Sequence, residues 1–328
     1  MWVSVHNPFS STCKGHVLVS TASWPKTLVP ASGPMRRDKL DGAAQGMGRW
    51  GQETRALAAE GFIPPDMITG LTLFLLSSQR REPSAQQGIP GGGGGVAGGV
   101  WVRERFTIHC PLRREEAFTA RGEAVGRHVH KGRRYGTNRC VTKNAEGVLA
   151  ASNLTTGLLA YKVDPGLNDA LEGQSPEAVT APAPDWGVAS HNPALDQLRR
   201  FKSGQAFTGD PVCLSLDLMV ARDTDKPDNP IHSDPELAQK AGLAQPIAGG
   251  SHVLAFALEV LLQQTGRHAL FHGACFDIRW KAPVFAEATI VPEVHVASAS
   301  TDQVTFTLQV SLEDGVTAMT GTVTVPLV

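Results

Sequence analysis

Apolar positions along this chain fall into two series with the same order: a stretch at helical spacing, then four stretches that alternate. In the later series Val253, Leu254, Ala257, Leu258, Leu261 and Leu262 recur at three- and four-residue spacing, which predicts a helix over 247–264 with a wide apolar face. In the earlier series residues 66–76 read as a buried helix, with Pro64 and Pro65 at its start and Asp66 suited to an N-terminus. Extended segments follow each helix, at 101–110, 117–130, 133–143 and 148–161, and again at 275–281, 288–298, 304–312 and 316–325. Val304, Phe306, Leu308 and Val310 alternate with Thr305, Thr307 and Gln309, the pattern of a strand with one face buried.

The two series also match in detail. The turns at 144–147 and 313–315 occupy equivalent places, as do Phe106-Thr107-Ile108 and Phe276-Asp277-Ile278. The repeat is too long for a solenoid unit. It predicts an α+β chain built from two copies of one module, each a long helix wrapped by an antiparallel sheet. The expected divisions are an N-terminal extension at 1–44, disordered, a first module at 45–164, a linker at 165–195 rich in Pro, Ala, Asp and Asn, and a second module at 196–328. Glycines at 91–95, 98 and 99 form a flexible connection between the first helix and its sheet. They are no phosphate cradle, because no Gly-Lys-Ser/Thr follows.

Composition narrows the function. A formal charge of −1 gives no reason to expect nucleic acid or an anionic membrane as partner, and no apolar run is long enough to span a bilayer. Five scattered cysteines (Cys13, Cys110, Cys140, Cys213, Cys275) and dispersed histidines lack metal-ligand spacing, so no metal is expected and the thiols are those of a reduced compartment. No acidic residue precedes Asp38, which reads as a disordered extension or an early start codon. The expected location is cytoplasmic, with mitochondrial as the alternative if this acid-poor segment is a transit peptide.

The chemistry-bearing stretch is Asp228-Asn229-Pro230-Ile231-His232, followed by Pro246-Ile247-Ala248-Gly249-Gly250-Ser251 at the head of the second helix. The first places a proton-transfer group on a Pro-fixed turn. The second exposes backbone N–H groups at a helix N-terminus, a site for a developing oxyanion. The first module has no Asn-Pro-x-His before its helix.

These residues resemble the MaoC-like (R)-specific enoyl-CoA hydratases and dehydratases, whose pattern is roughly Gly-Asp-x-Asn-Pro-x-His and then Pro-Ile-x-His-Gly. The resemblance implies a tandem, double hot-dog fold in which the degenerate half accommodates the acyl chain. It implies a hydro-lyase acting on an acyl-CoA or acyl-carrier-protein thioester, with no cofactor beyond the CoA of the substrate, and assembly as a homodimer or hetero-oligomer through the sheets. Carried over by position, His232 is the acid/base and the N–H of Gly250, with Gly249 or Ser251, the oxyanion donor. Asn229 and Pro230 shape the loop, and Pro246 opens the helix entry.

The sequence departs from the pattern twice. Pro227 stands where the family has its Asp, leaving Asp228 one residue late and Asp225 two residues early. Either reaches the water through a shifted loop, or no Asp takes part. Gly249 stands where the family has His. Arg279 and Lys281 are candidates for the CoA phosphates, in competition with the basic hairpin of His128, His130, Lys131, Arg133 and Arg134, which otherwise reads as a solvated turn. Two other functions remain open. One is a thioesterase using a helix carboxylate, for which Glu259 is the only candidate inside the second helix. The other is a non-catalytic acyl-CoA-binding subunit.

Overall fold

A computed structural model describes residues 19–20, 24–35, 37–79, 100–159, 161, 163–179, 192–222 and 230–327. The N-terminal extension ends in α1 (Arg37–Gly46); the first module contains α2 (Gln52–Ala59), a 3-10 turn (Pro65–Thr69) running into α3 (Gly70–Gln79), and strands β1 (Val100–Ile108), β2 (Phe118–His130), β3 (Arg133–Lys143) and β4 (Leu149–Leu158). The second contains α4 (Leu216–Arg222), α5 (Pro235–Lys240), α6 (Gly250–Thr265), β5 (Ala274–Trp280), β6 (Ala288–Ala299), β7 (Gln303–Leu312) and β8 (Thr317–Pro326). The strands lie within a few residues of the alternating stretches.

The eight strands form one antiparallel path, β2-β3-β4-β1-β5-β8-β7-β6, so each module has the same strand order, mirrored about the β1–β5 seam. At the seam Phe106 pairs with Phe276, their rings stacked at 4.1 Å and 4°. These are the two residues matched by the sequence repeat. Their self-pairing puts a pseudo-twofold axis between them and joins the two sheets without an exposed edge. Short strands cover the outer edges: Lys26–Thr27, Ala31–Gly33 and Ala170–Gly173 on β2, and Ala206–Thr208 and Val212–Leu214 on β6.

The core lies between the sheet and the long helices. In α6 every residue from His252 to Leu262 is buried. Glu259 is accommodated there because its carboxylate accepts hydrogen bonds from Glu53 N (2.6 Å), Thr54 N (3.0 Å) and Thr54 Oγ1 (2.9 Å), and so caps the start of α2. Burial raises its pKa, with these three hydrogen bonds opposing the rise.

Two of the expected divisions hold ordered structure. The extension expected to be disordered over 1–44 is packed over much of its C-terminal part: Leu28, Ala31, Leu40 and Ala43 are buried, Leu28 N donates to Gly122 O at 2.9 Å, and α1 packs against α4. Its apolar residues are spaced to cover an existing sheet and helix rather than to form a periodic face, so the pattern does not announce them. The expected linker contributes Ala170–Gly173 to the sheet edge. A four-residue edge strand is held by backbone hydrogen bonds and is too short to alternate visibly.

Candidate active site

His232 closes a 3-10 turn, Pro230–His232, whose middle residue anchors it: Ile231 is fully buried in a small cluster with Ala238, Ala241, Leu243 and Ile247. Pro230 O accepts from Ser233 N (3.1 Å) and Asp234 N (2.8 Å). Asp234 caps α5, accepting from Glu236 N at 2.9 Å and Leu237 N at 3.0 Å. This is the role expected of an acid at that helix start. Asp234→Ala should lower stability by about 1 kcal/mol in chemical denaturation, and an unchanged midpoint would argue against the cap.

The turn is stitched to the head of α6. Ile247 N donates to Ile231 O at 3.2 Å, and His232 Nδ1 lies 2.7 Å from Ile247 O. A carbonyl only accepts, so Nδ1 carries the hydrogen and, in the neutral ring, Nε2 holds the lone pair. The strand-like segment at 246–248 is itself fixed by Ala248 N to Val284 O (2.8 Å) and Ala286 N to Pro246 O (2.9 Å).

Gly249 is the N-cap of α6, with φ −61° and ψ 145°, and its carbonyl accepts from His252 N and Val253 N. Gly250 and Ser251 are the first two residues of the helix, whose N–H groups have no acceptor one turn back and carry the positive end of the helix dipole. A Cβ on Gly250 would sit 2.8 Å from the Trp280 ring, and Trp280 Nε1 donates to Gly250 O at 3.0 Å. A Cβ on Gly249 would meet nothing within 4 Å. Gly250→Ala should therefore push the indole aside and lower activity about tenfold or more, whereas Gly249→Ala is accommodated. Steady-state rates of the two variants test this, and equal rates would show that the Trp280 contact is immaterial.

Other candidates are placed as follows. Asp225, Asp228, Asn229 and Pro227 lie outside the described residues. Arg279 in β5 and Lys281 just after it are exposed, while Trp280 between them turns inward onto Gly250. The two cations therefore lie on the opposite face of the strand from the helix start. Near them Arg103 forms a forked pair with Asp277 (2.9 and 2.6 Å). At the basic hairpin the Asp169 carboxylate takes His130 Nδ1 (3.2 Å) and Lys131 N (3.0 Å), and His128 stacks on Tyr135, in keeping with a turn rather than a phosphate site. His252 is buried with Nε2 2.8 Å from Gly46 O; burial, and next the Arg222 cation, push its pKa down to about 3, so it stays neutral. Among the described residues no group of His, Cys, Asp and Glu could hold a metal ion, and no helix is long and apolar enough to cross a membrane.

Sequence reasoning missed Trp280 and Arg222. Arg222 pairs with Asp66 and reaches the first turn of α6. Neither residue carries a local motif; only the fold brings it there.

Residues 225–318 match the family model described as MaoC like domain. The second module thus carries a MaoC-like domain. No curated protein matches the sequence. Among solved structures, a MaoC-like dehydratase is 18% identical, with a TM-score of 0.64 over 92% of this chain and 97% of that one. A MaoC-like dehydratase from Phytophthora capsici is 15% identical, with a TM-score of 0.60 over 91% and 94%. A conserved hypothetical protein from Mycobacterium tuberculosis, described as having a double hot-dog fold, is 13% identical, with a TM-score of 0.61 over 92% and 96%. The chain has that α+β double hot-dog fold.

Proposed function

We propose that this chain is a hydro-lyase that reversibly hydrates a trans-2-enoyl-CoA to an (R)-3-hydroxyacyl-CoA. The observation that carries the reading is the His232 Nδ1–Ile247 O hydrogen bond of 2.7 Å, which ties the imidazole to the segment leading into the Gly249–Gly250 helix start. Hydration of a conjugated thioester needs a proton taken from water as it attacks C3, a proton given to C2, and a donor for the thioester oxygen. His232 Nε2 serves the proton transfer and the Gly250 N–H, with that of Ser251, the oxygen. Asp228 or Asp225 shares the water with His232, or His232 handles the proton without an Asp. The stereochemistry follows the MaoC-like resemblance; Arg279 and Lys281, across β5 from the helix start, would meet the CoA phosphates only around the end of that strand.

A thioesterase is disfavoured because Glu259, the one carboxylate in α6, is engaged in capping α2. An acyl-CoA-binding subunit is favoured by one feature, Pro227 at the family's Asp position.

The test is loss of enone absorbance from crotonyl-CoA and a longer trans-2-enoyl-CoA, with a free-thiol assay in parallel. Consumption without thiol release is expected. Thiol release makes the protein a thioesterase, and acyl-CoA binding with neither reaction makes it a binding subunit.

A further inference from the structure

Arg222 ends α4, and residues 223–229 lead from it into the turn that carries His232. Its side chain is only 7% exposed and forms an ion pair with Asp66, 2% exposed, from the 3-10 turn before α3 of the first module. The same guanidinium donates to Ala43 O at 3.1 Å, to Ser251 O in the first turn of α6 at 3.4 Å, and to Met67 Sδ at 3.5 Å. The chain around it leaves little freedom. A Cβ on Gly46 would lie 2.5 Å from Arg222 Cβ, and Gly46 O is taken by His252 Nε2 of α6.

Three parts of the molecule therefore meet on one cation: the N-terminal helix α1, the first module, and the helix start that presents the Gly250 N–H. A buried ion pair is a weak source of stability compared with apolar packing of the same volume, so burial alone does not account for it. Its planar fork does supply a fixed geometry between several acceptors at once. We infer that Asp66 and Arg222 are a positioning pair, which fixes the stem of the His232 loop against the first turn of α6, so that the module without the Asn-Pro-x-His motif contributes to the site through Asp66. The effect on turnover rests on the hydro-lyase reading; the effect on the loop does not.

Two variants of the full chain test it, Asp66→Asn and Arg222→Lys. Lysine keeps the charge inside, and so keeps the fold even where Asp66→Asn does not, but it lacks the fork that reaches Asp66 and Ser251 together. Two readouts are taken: kcat and KM on a trans-2-enoyl-CoA, and hydrogen exchange of peptides covering 216–222 and 230–234. The expected result is a fall in kcat of about tenfold or more with KM within about twofold, a smaller fall for Arg222→Lys, and faster exchange in 216–222 and 230–234 with β5–β8 unchanged. Folded variants with wild-type kcat and wild-type exchange overturn the pair's role. A wild type that consumes no enone while the variants exchange faster overturns the hydro-lyase reading and upholds the positioning pair.

Discussion

Replacing His232 with alanine should lower the rate of enoyl-CoA hydration by about 10²- to 10⁴-fold while leaving the protein folded. The turn does not depend on the imidazole for its place. Ile231 is buried beneath it, Pro230 O is bonded to Ser233 N and Asp234 N, and the Asp234 cap fixes the helix that follows. What alanine removes is the group whose Nδ1 is held by Ile247 O and whose Nε2 handles the proton. His232→Asn separates the two roles. An amide can still donate to the Ile247 carbonyl, but it moves no proton at neutral pH. Both variants should therefore lose the rate to a similar extent, with thermal unfolding close to wild type. A wild-type rate in His232→Asn would make the histidine a structural brace and remove the acid/base role.

That site was half visible in the sequence. Asn229-Pro230-x-His232 and the glycine pair are local signals, and each encodes its own backbone geometry: a proline that sets φ, and a glycine where the Trp280 ring leaves no room for Cβ. The strands were visible because one face of each is buried, as in β7, where Val304, Phe306, Leu308 and Val310 are buried and alternate with partly exposed partners. The repeat matched Phe106 with Phe276, but that the two pair across a seam is visible only in the fold. Arg222 and Asp66 were not visible, because 156 positions of sequence separate two residues that only tertiary packing brings together. Leu28 and Leu40 were missed for the opposite reason: they cover surfaces that other segments create, and leave no period of their own. Glu259 was seen as an acid in an apolar helix, but its partners, the N–H groups of Glu53 and Thr54, lie in another part of the chain.

Glu104→Gln should stabilise the protein, by about 3 kcal/mol at pH 7. Glu104 is fully buried in β1, and burial pushes its pKa up to about 8, although hydrogen bonds from Asn153 Nδ2 (2.8 Å) and Thr155 Oγ1 (3.2 Å) hold it lower than burial alone would. The first module is peculiar here. Across the strands Asn153 faces Phe106 and Val323 faces Phe276, so the pseudo-twofold puts buried Val323 and Ala274 where the first module has Asn153 and Glu104. Below the ordinary carboxylate range both folded and unfolded chains hold the proton and the variant gains nothing. From there up to about pH 8 only the folded chain holds it, so wild-type stability falls by roughly 1.4 kcal/mol per pH unit relative to a side chain that does not titrate. Glutamine also fits the local bonding. Its oxygen accepts from Asn153 Nδ2 as the carboxyl does, and its NH₂ can donate to Asn153 Oδ1, which, like Glu104 Oε2, has no hydrogen-bond partner among the described residues. Denaturation of both proteins between pH 5 and pH 8 measures the gap. A gap that widens with pH is the signature of a buried acid kept neutral by the fold, whereas a constant gap would mean that the Glu104 carboxyl titrates no differently in the folded chain than in the unfolded one.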